Sequence, residues 1–382
     1  MTQQASDERI AGMVAPGDAH YFTAQHRLPY PSALVECIRW HMKRAPKPRQ
    51  GIYEYYWEFA SKRQRVFERR VAGEPGPWTD DPILQEYKFC NVFRAADRVS
   101  QYMIREVCYH TEPCSPEDRF FQIVAFRTFS KIETWRDVHS FLGRYPTLDD
   151  LAGGRFSTAL EHAKRNNGGL YTGAFILCAT DAYGKALKHL NHVELFRHMF
   201  LHEGLGRRLL AAGSLREIYD LLHDYPLMGD FMSYQTAIDL NYSNLVNFSE
   251  NEFTQAGPGA LRGIKKCFED LGDHTPAEVI MWMVDHQEAE FARLGLPFNG
   301  LWGRRLQAID CQGLFCETDK YCREAAPGLA STRKRIKARF SATPEPIELF
   351  FPPKWGINDQ LPSEPVFRPE LTPAGALQLQ LF

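Results

Sequence analysis

A group of polar residues interrupts an aromatic helical pattern at 87–103, in the sequence YKFCNVFRAADRVSQYM. On a helix, Asn91, Arg94 and Arg98 fall at positions i, i+3 and i+7 of one face, with Asp97 on an adjoining face. An amide can read the edge of a base, a guanidinium can bind two oxygens at once, and a carboxylate can fix an arginine or act on a sugar. The pattern predicts a site for a polar ligand. A buried ion network that holds the fold together is the alternative, because such networks imitate sites.

A helical hairpin is predicted at 221–244, where Pro226 and Gly229 separate two amphipathic segments. The N–H groups of a hairpin and of a helix N-terminus can bind a phosphate group without reading a nucleotide sequence. Asp230 places an anion at that N-terminus, which weakens the phosphate interpretation. An ordinary pair of packed helices is the alternative.

Two further segments combine cations with glycines or acids. In FTQAGPGALRGIKKCF, residues 253–268, a Gly-Pro-Gly turn precedes a helix that carries Arg262 and Lys265, so the backbone can approach a phosphate group closely. A solvated basic face explains the same pattern. The turn lacks the GK[ST] ending of a P-loop, which disfavours a nucleotide kinase site. In AIDCQGLFCETDKYCRE, residues 308–324, acids and cations form either ordinary surface pairs or an inward polar network.

The composition is that of a globular protein. The chain has 382 residues, of which 44% are apolar and 13% aromatic, so it can bury a sizeable core. A formal net charge of −2 excludes a globally basic nucleic-acid coat, although a local basic face remains possible. The odd number of cysteines, nine, and the lack of a secretory leader predict reduced thiols in the cytoplasm.

Neither a membrane span nor a metal site is expected. No segment approaches 18 consecutive apolar residues. Cys311, Cys316 and Cys322 cluster, but their spacing forms neither a CxxC knuckle nor an iron–sulfur pattern. We therefore expect no metal and no other cofactor.

Helical periodicity covers most of the chain and predicts a mainly α fold. Residues 1–30 are predicted to be a loose arm, 31–340 a helical body with two lobes, and 341–382 a Pro-rich tail that is extended or mobile and packs in part through its aromatic residues. Only 170–179 resembles a strand. The helical patterns lie at 33–44, 53–70, 81–109, 117–129, 131–142, 157–165, 181–201, 205–223, 230–241, 259–271, 276–293 and 302–324.

Four ordered stretches resemble one protein family. They are PWTDDPILQEYKFCNVFRAADRVSQ, YPLMGDFMSYQTAIDLNYS, AGPGALRGIKKCF and IDCQGLFCETDKYCR. Together they resemble the alpha-glutamyl/putrescinyl-thymine pyrophosphorylase group, also found as the helical domain of hydroxymethyluracil DNA kinases, and that group is similar to helix-hairpin-helix DNA glycosylases. The resemblance covers about residues 50–340. It implies a helix-hairpin-helix, DNA-glycosylase-like fold with two helical lobes around a central cleft, and action on modified bases of phage DNA.

The family pattern can be carried onto individual positions of this chain. The matching residues are Asn91, Arg94, Asp97 and Arg98, then Gly229, Gln235 and Asp239, then the loop from Gly257 to Gly263, and finally Asp310, Gln312, Glu317, Lys320 and Arg323. One departure concerns the catalytic acid, which the glycosylases usually place in a D-x-N-V-x-R pattern after the hairpin. Here that region reads FSENEFTQAG, with Glu250 and Glu252 as its acids. The resemblance therefore leaves the catalytic acid open.

The glycosylase interpretation assigns a role to each group of residues. A modified pyrimidine of the hydroxymethyl or glucosylated type is flipped out of phage DNA and its N-glycosidic bond is cleaved, which leaves an abasic site and defends against the phage. The predicted catalytic acids are Asp239 first, then Asp97 and Glu252. The predicted base-binding residues are Asn91, Gln235, Tyr234, Asp310 and Gln312. The predicted phosphate or DNA contacts are Arg94, Arg98, Gly229, Gly257, Gly259, Arg262, Lys265, Lys320 and Arg323.

Two other functions stay open. In a transferase, an amine or amino acid displaces pyrophosphate from a hydroxymethyluracil-derived base. The cations that would surround the leaving group are Arg94, Arg98, Lys320 and Arg323. No P-loop segment is visible that would activate the base, so excision is favoured, with DNA as the partner and no obligate protein partner expected. In a non-enzymatic DNA-binding scaffold, an Asp239→Asn change leaves the function intact.

Overall fold

The structure is a computed structural model. Helical periodicity and helix-capping residues determine most of its elements. The structure describes residues 43–172, 181–329, 335–336, 338–341 and 348–362. Within these ranges the chain forms fourteen α-helices and one two-stranded sheet, so the prediction of a mainly α protein is confirmed. Three predicted segments lie wholly or largely outside the described residues: the arm at 1–30, the helix at 33–44 and the strand at 170–179.

The N-terminal half of the described chain contains seven helices. They are α1 (Tyr53–Val71), α2 (Pro82–Glu86), α3 (Arg98–Met103), α4 (Pro116–Phe129), α5 (Ile132–Leu142), α6 (Leu148–Ala152) and α7 (Arg155–Asn167). A 3₁₀ turn at Arg94–Ala96 precedes α3, and a π-helical turn at Ile104–Cys108 follows it. Ser115 and Thr147 start α4 and α6 with capping boxes, which satisfy N–H groups that no helical carbonyl can reach.

Seven more helices follow. They are α8 (Lys188–Phe196), α9 (Leu205–Ala211), α10 (Leu215–His223), α11 (Asp230–Tyr242), α12 (Pro258–Cys267), α13 (Pro276–Arg293) and α14 (Ala308–Ala325). Shorter turns lie at Arg197–His202 (π-helical), Pro353–Trp355 and Asn358–Gln360 (both 3₁₀). The sheet pairs β1 (Lys47–Pro48) with β2 (Phe268–Asp270) antiparallel, with Lys47 opposite Asp270 and Pro48 opposite Phe268.

The prediction of a continuous helix over 81–109 is wrong for its middle part. Between α2 and α3 the chain runs through a loop and the 3₁₀ turn, and Asp97 has an extended backbone. The cause is local: the Asp97 carboxylate accepts the backbone N–H of Asn91 at 2.8 Å, and the Asn91 amide donates to the Ala96 carbonyl at 2.7 Å. Such side-chain bonds to the backbone compete with helical hydrogen bonds. The helical face proposed for Asn91, Arg94 and Arg98 therefore does not exist.

The helical hairpin predicted at 221–244 is present as α10, a turn and α11. Every residue of α11 from Met232 to Tyr242 is buried, so this helix runs through the core and contacts both α10 and α4. A helix that is buried all round must satisfy its polar side chains inside the protein. Contacts place the described residues from Ala45 onward in one unit, and the two lobes stay a prediction. The glycosylase-like arrangement stays a prediction.

Part of the Pro-rich tail packs against the body. The Lys354 ammonium donates to the carbonyls of Asn241, Ser243 (3.0 Å) and Val246 (2.8 Å) at the end of α11. This is where a helix presents unsatisfied carbonyls and a partial negative charge. The Trp355 ring meets Tyr242 edge to face, so the aromatic residues of the tail pack as expected.

Helices α12 and α14 pack so closely that glycine is required between them. A Cβ at Gly263 would overlap the backbone carbonyl of Phe315, and a Cβ at Gly259 would overlap the Cys316 sulfur. Beside this contact the buried carboxylate of Asp319 pairs with Arg262 (3.1 Å), Lys266 (3.1 Å) and Arg323 (2.7 Å). The glycines and cations of the segment at 253–268 thus serve to pack α12 against α14.

We predict that Gly263→Ala destabilises the protein by about 1–3 kcal/mol, because the backbone opposite cannot retreat as a flexible side chain could. The matched control is Gly313→Ala on α14, where a Cβ meets open space. That control should be neutral or stabilise by up to about 1 kcal/mol through helix propensity. Urea denaturation monitored by circular dichroism measures both. Equal effects of the two substitutions would contradict the packing explanation.

Candidate functional site

A buried ion network lies at the centre of the fold. The side chain of Asp239 on α11 is fully buried, and its two oxygens bind Arg94 Nη2 (2.7 Å) and Arg127 Nε. Arg94 comes from the loop before α3 and Arg127 from α4. A carboxylate without water is tolerated because the two guanidinium groups compensate its charge and fill its lone pairs.

The network collects residues from three of the polar segments of the sequence, at 87–103, 221–244 and 308–324. Arg94 Nε donates to the Gln235 amide oxygen at 2.8 Å, and its backbone N–H donates to the Asp310 carboxylate at 2.9 Å. The amides of Gln235 and Gln312 lie 3.5 Å apart. Burial, with the nearby charge of Glu250, raises the pKa of Asp310 to about 7. The six residues of the network are each at most 9% exposed, so they meet in the core: Arg94, Arg127, Gln235, Asp239, Asp310 and Gln312.

A cationic cavity of about 520 Å³ lies on the other side of the loop that carries Arg94. Six cationic side chains line it: Arg63, Arg70, Lys88, Arg98, Arg105 and Arg136. The acids in the wall are Asp97 and Glu348, and Glu348 pairs with Arg105 at 2.9 Å. A concave surface lined mainly by one sign of charge concentrates ligands of the opposite sign. The cationic cavity is therefore suited to an anionic ligand.

The pKa of Asp97, in the wall of the cationic cavity, is perturbed. Removal of its carboxyl group from water raises the pKa to about 6, although the N–H of Asn91 and the charge of Arg63 oppose the shift. An acid whose pKa lies this close to neutral can exchange protons with a substrate at the pH of a cell. Asp97 thus combines access to the cavity with useful acid–base properties.

Asn91 connects Asp97 to an arginine of α1. Its amide oxygen accepts Arg63 Nη2 at 2.6 Å, while its amide nitrogen donates to the Ala96 carbonyl. Arg63, Asn91 and Asp97 therefore form one hydrogen-bonded series along the cavity wall. The base-reading role predicted for Asn91 stays a prediction, and its side chain is already bonded on both sides.

The other predicted site residues lie apart from the cationic cavity. Tyr234 is buried and meets Phe253 edge to face, and Glu252 is exposed near the start of α10, where it accepts the N–H of Leu215 at 3.3 Å. Lys320 pairs with Glu317 at 2.5 Å, and Glu317 also accepts the N–H of Cys90 at 3.0 Å. Gly229 and Gly257 precede α11 and α12, Gly259 faces Cys316, Arg262 and Arg323 bind Asp319, and Lys265 is exposed. Their predicted roles in DNA binding remain predictions.

Sequence reasoning missed most of the cavity cations. Arg63 and Arg70 lie in the second half of α1, whose basic character was visible in the sequence. Lys88, Arg105 and Arg136 carry no pattern that separates them from ordinary surface cations. Arg127 could have been suspected, because a lone arginine within FFQIVAFRTF needs a buried partner.

Comparison with known proteins agrees with the family resemblance of the four sequence motifs. The family model described as the helical domain of 5-hmdU DNA kinase matches residues 50–331. The chain belongs to this family. A curated relative, the 5-hmdU DNA kinase of Bacillus phage SP10, is 26% identical over 297 residues, which cover 73% of this chain and 46% of the relative. The match thus spans about half the length of that relative. No solved structure matches the chain.

The resemblance stated from the motifs is confirmed for the hydroxymethyluracil DNA kinase helical domains. The relation to DNA glycosylases stays a prediction. None of the helices in the described ranges is long and apolar enough to span a bilayer.

We predict that Asp239→Ala destabilises the protein by about 3–5 kcal/mol, because it leaves two buried guanidinium groups without their anion. Asp220→Ala is the matched control, since Asp220 forms an exposed pair with Arg216 one helical turn away. Its loss should cost at most about 0.5 kcal/mol. Chemical denaturation of the two variants measures the difference, and a small effect at Asp239 would contradict a structural role for the network.

Proposed function

We propose that this protein acts on a modified pyrimidine nucleotide in phage DNA, holds it everted against the cationic cavity and cleaves its N-glycosidic bond. The observation that carries the proposal is the partly buried carboxylate of Asp97 within a wall of six cations. Membership of the hydroxymethyluracil DNA kinase helical family supports a base of the hydroxymethyl type, with or without an attached sugar. Excision of such bases would act against phage whose DNA contains them.

Base flipping explains why the site needs both a cationic wall and a carboxylate. The sugar–base bond is inaccessible inside stacked DNA, so the nucleotide must leave the helix. Its flanking phosphates then carry negative charge into the cavity, where Arg63, Arg70 and Arg98 can neutralise it. This binding compensates for the cost of unstacking and places the sugar near the cavity wall.

Asp97 supplies the chemistry in this proposal. Breaking the bond between C1′ and the base leaves the electron pair on the base and positive charge on the sugar. An ionised Asp97 stabilises that charge or takes a proton from the water that adds to C1′. With a pKa of about 6, the carboxylate is mostly ionised at pH 7. We favour Asp97 over Asp239, because Asp239 is buried and bound to two arginines.

The number of cations in the cavity wall also favours a second candidate function, that of a transferase. Six cationic side chains are also what a departing pyrophosphate would require, as in a transferase that joins an amine or amino acid to a hydroxymethyluracil-derived base. In that reaction the bond broken lies at the 5-substituent and the glycosidic bond survives. The two candidates therefore leave different DNA products.

We predict that the purified full chain produces alkali-labile abasic sites in oligonucleotides that carry one hydroxymethylated or glucosylated pyrimidine. An otherwise identical oligonucleotide with unmodified pyrimidines is the control. Cleavage after alkali, followed on a denaturing gel without any added amine, would support excision and rule out the transferase as the sole activity. Absence of abasic sites on every modified oligonucleotide would refute the glycosylase proposal.

We predict that Asp97→Asn reduces the rate of excision by about 10²–10⁴-fold while the fold is retained, because the amide oxygen still accepts the N–H of Asn91. Asp220→Asn, at an exposed acid of α10 outside the cavity wall, serves as the control and should keep the wild-type rate. For the wild type, the rate should fall as the pH drops through about 6, where Asp97 becomes protonated. An ordinary aspartate would hold its charge to a lower pH. Single-turnover rates between pH 4.5 and 8 test both statements.

A further inference from the structure

A second cavity, of about 270 Å³, adjoins the cationic cavity. Its wall is largely aromatic and contains Trp78, Tyr87, Phe89 and Phe340, and we call it the aromatic cavity. Arg63, Phe89 and Phe340 line both cavities, so the two are neighbours across a shared wall. Its volume is slightly below the range of roughly 300–1,000 Å³ that small-molecule sites usually occupy, which suits a single ring.

Arg63 brings an unused hydrogen-bond donor to this shared wall. The residue is 8% exposed, and its Nη2 is bound to Asn91. Its other terminal nitrogen, Nη1, is buried and has no hydrogen-bond partner among the described residues. A guanidinium N–H removed from water without a partner is costly, so a ligand whose acceptor displaces the groups that cover Nη1 would gain a hydrogen bond. Arg63 therefore has one terminal nitrogen bound to Asn91 and a second whose hydrogen bond is unsatisfied within the described residues.

The aromatic wall is held in place by the backbone. The N–H of Lys88 donates to the Ala338 carbonyl at 3.0 Å, and the N–H of Phe340 donates to the Glu86 carbonyl at 2.9 Å. The Arg70 guanidinium packs over the rings of Trp78 and Phe340, at 5.2 and 6.0 Å from their centroids. These contacts set the rings before any ligand arrives.

We propose that the aromatic cavity is the subsite for the everted pyrimidine ring, with Arg63 Nη1 donating a hydrogen bond to an exocyclic carbonyl of that ring. The proposal rests on the function proposed above and specifies its substrate class: a planar, uncharged ring with a carbonyl acceptor. Aromatic side chains stack on any base, whereas the guanidinium selects for the carbonyl. Arg63 is hydrogen-bonded to Asn91, and Asn91 is hydrogen-bonded to Asp97. In this proposal the ring binds at the Arg63 end of that short series, and the catalytic carboxylate of Asp97 lies at the other end.

Binding measurements on the full chain test the stacking part. The probe is a single-stranded oligonucleotide with one 5-hydroxymethyluracil whose sugar carries a 2′-fluoro group to slow cleavage, compared at one salt concentration with the same strand bearing an abasic analogue. Wild type should prefer the base by about 5- to 150-fold, the range expected for one stacked base. Trp78→Ala and Phe340→Ala should reduce this ratio while affinity for the abasic strand persists.

Phe141→Ala is the matched control, because Phe141 is an exposed aromatic residue outside the walls of both cavities. It should leave the ratio of the two affinities unchanged. An unchanged ratio in both the Trp78 and Phe340 variants would overturn the proposal.

The hydrogen bond from Arg63 is tested with a base isostere. A strand that carries 2,4-difluorotoluene in place of the pyrimidine keeps the ring but lacks carbonyl oxygens. Wild type should bind the hydroxymethyluracil strand about tenfold or more tightly than the isostere, and Arg63→Lys should remove most of that difference, because lysine keeps the charge but not the second nitrogen. Discrimination that survives in Arg63→Lys would refute the role of Nη1. If this variant fails to fold, the wild-type comparison decides, and equal affinity for the hydroxymethyluracil and difluorotoluene strands would refute the role of Nη1.

Failure of this inference can be told apart from failure of the proposed function. If the aromatic variants lose base preference while wild type forms no abasic sites, the subsite stands and the proposed reaction is wrong. If wild type excises the base but neither the aromatic variants nor Arg63→Lys alter base preference, the reaction stands and the subsite is wrong.

Discussion

The burial of one carboxylate between two guanidinium groups organises this protein. Asp239 is fully enclosed on α11, a helix that is itself buried, so its charge is tolerable only with Arg94 and Arg127 in place. These partners come from separate parts of the chain, and the pairing ties the loop before α3 to the core. Because Arg94 turns inward, Asn91, Asp97 and Arg98 are left on the outer side of that loop, where they line the cationic cavity.

The polar residues at 91–98 were open to two interpretations, a ligand site and a structural ion network. The structure supports a division between them. Arg94 belongs to the buried network with Gln235 and Asp310, whereas Asn91 and Asp97 face the cavity. Two roles that seemed to compete within one short stretch belong to different residues of it, since Arg94 binds Asp239 in the core whereas Ala96 and Asp97 line the cavity.

Two buried acids show how their surroundings distinguish structural from reactive carboxyl groups. Burial favours the neutral form of Asp319, but hydrogen bonds from Arg323, Lys266 and Arg262 lower its pKa below the ordinary value. Asp97 is also largely removed from water, yet the bond that its carboxylate accepts within the described residues comes from the backbone N–H of Asn91, and its pKa rises to about 6. The number of cationic donors in direct contact decides whether a buried carboxyl group is held in its ionised form or can exchange a proton.

The sequence by itself determined the helical class, the hairpin at 221–244 and the existence of separate polar segments, because periodicity, turn residues and polar residues in apolar surroundings are local signals. It did not determine that 87–97 is a loop, since there side-chain bonds to the backbone override helical spacing. Nor did it separate Arg94 from Arg98 or reveal Arg63, Arg105 and Arg136 as cavity residues. Only the tertiary structure decided which cations lie on one surface, because burial and charge pairing depend on residues far apart in the chain.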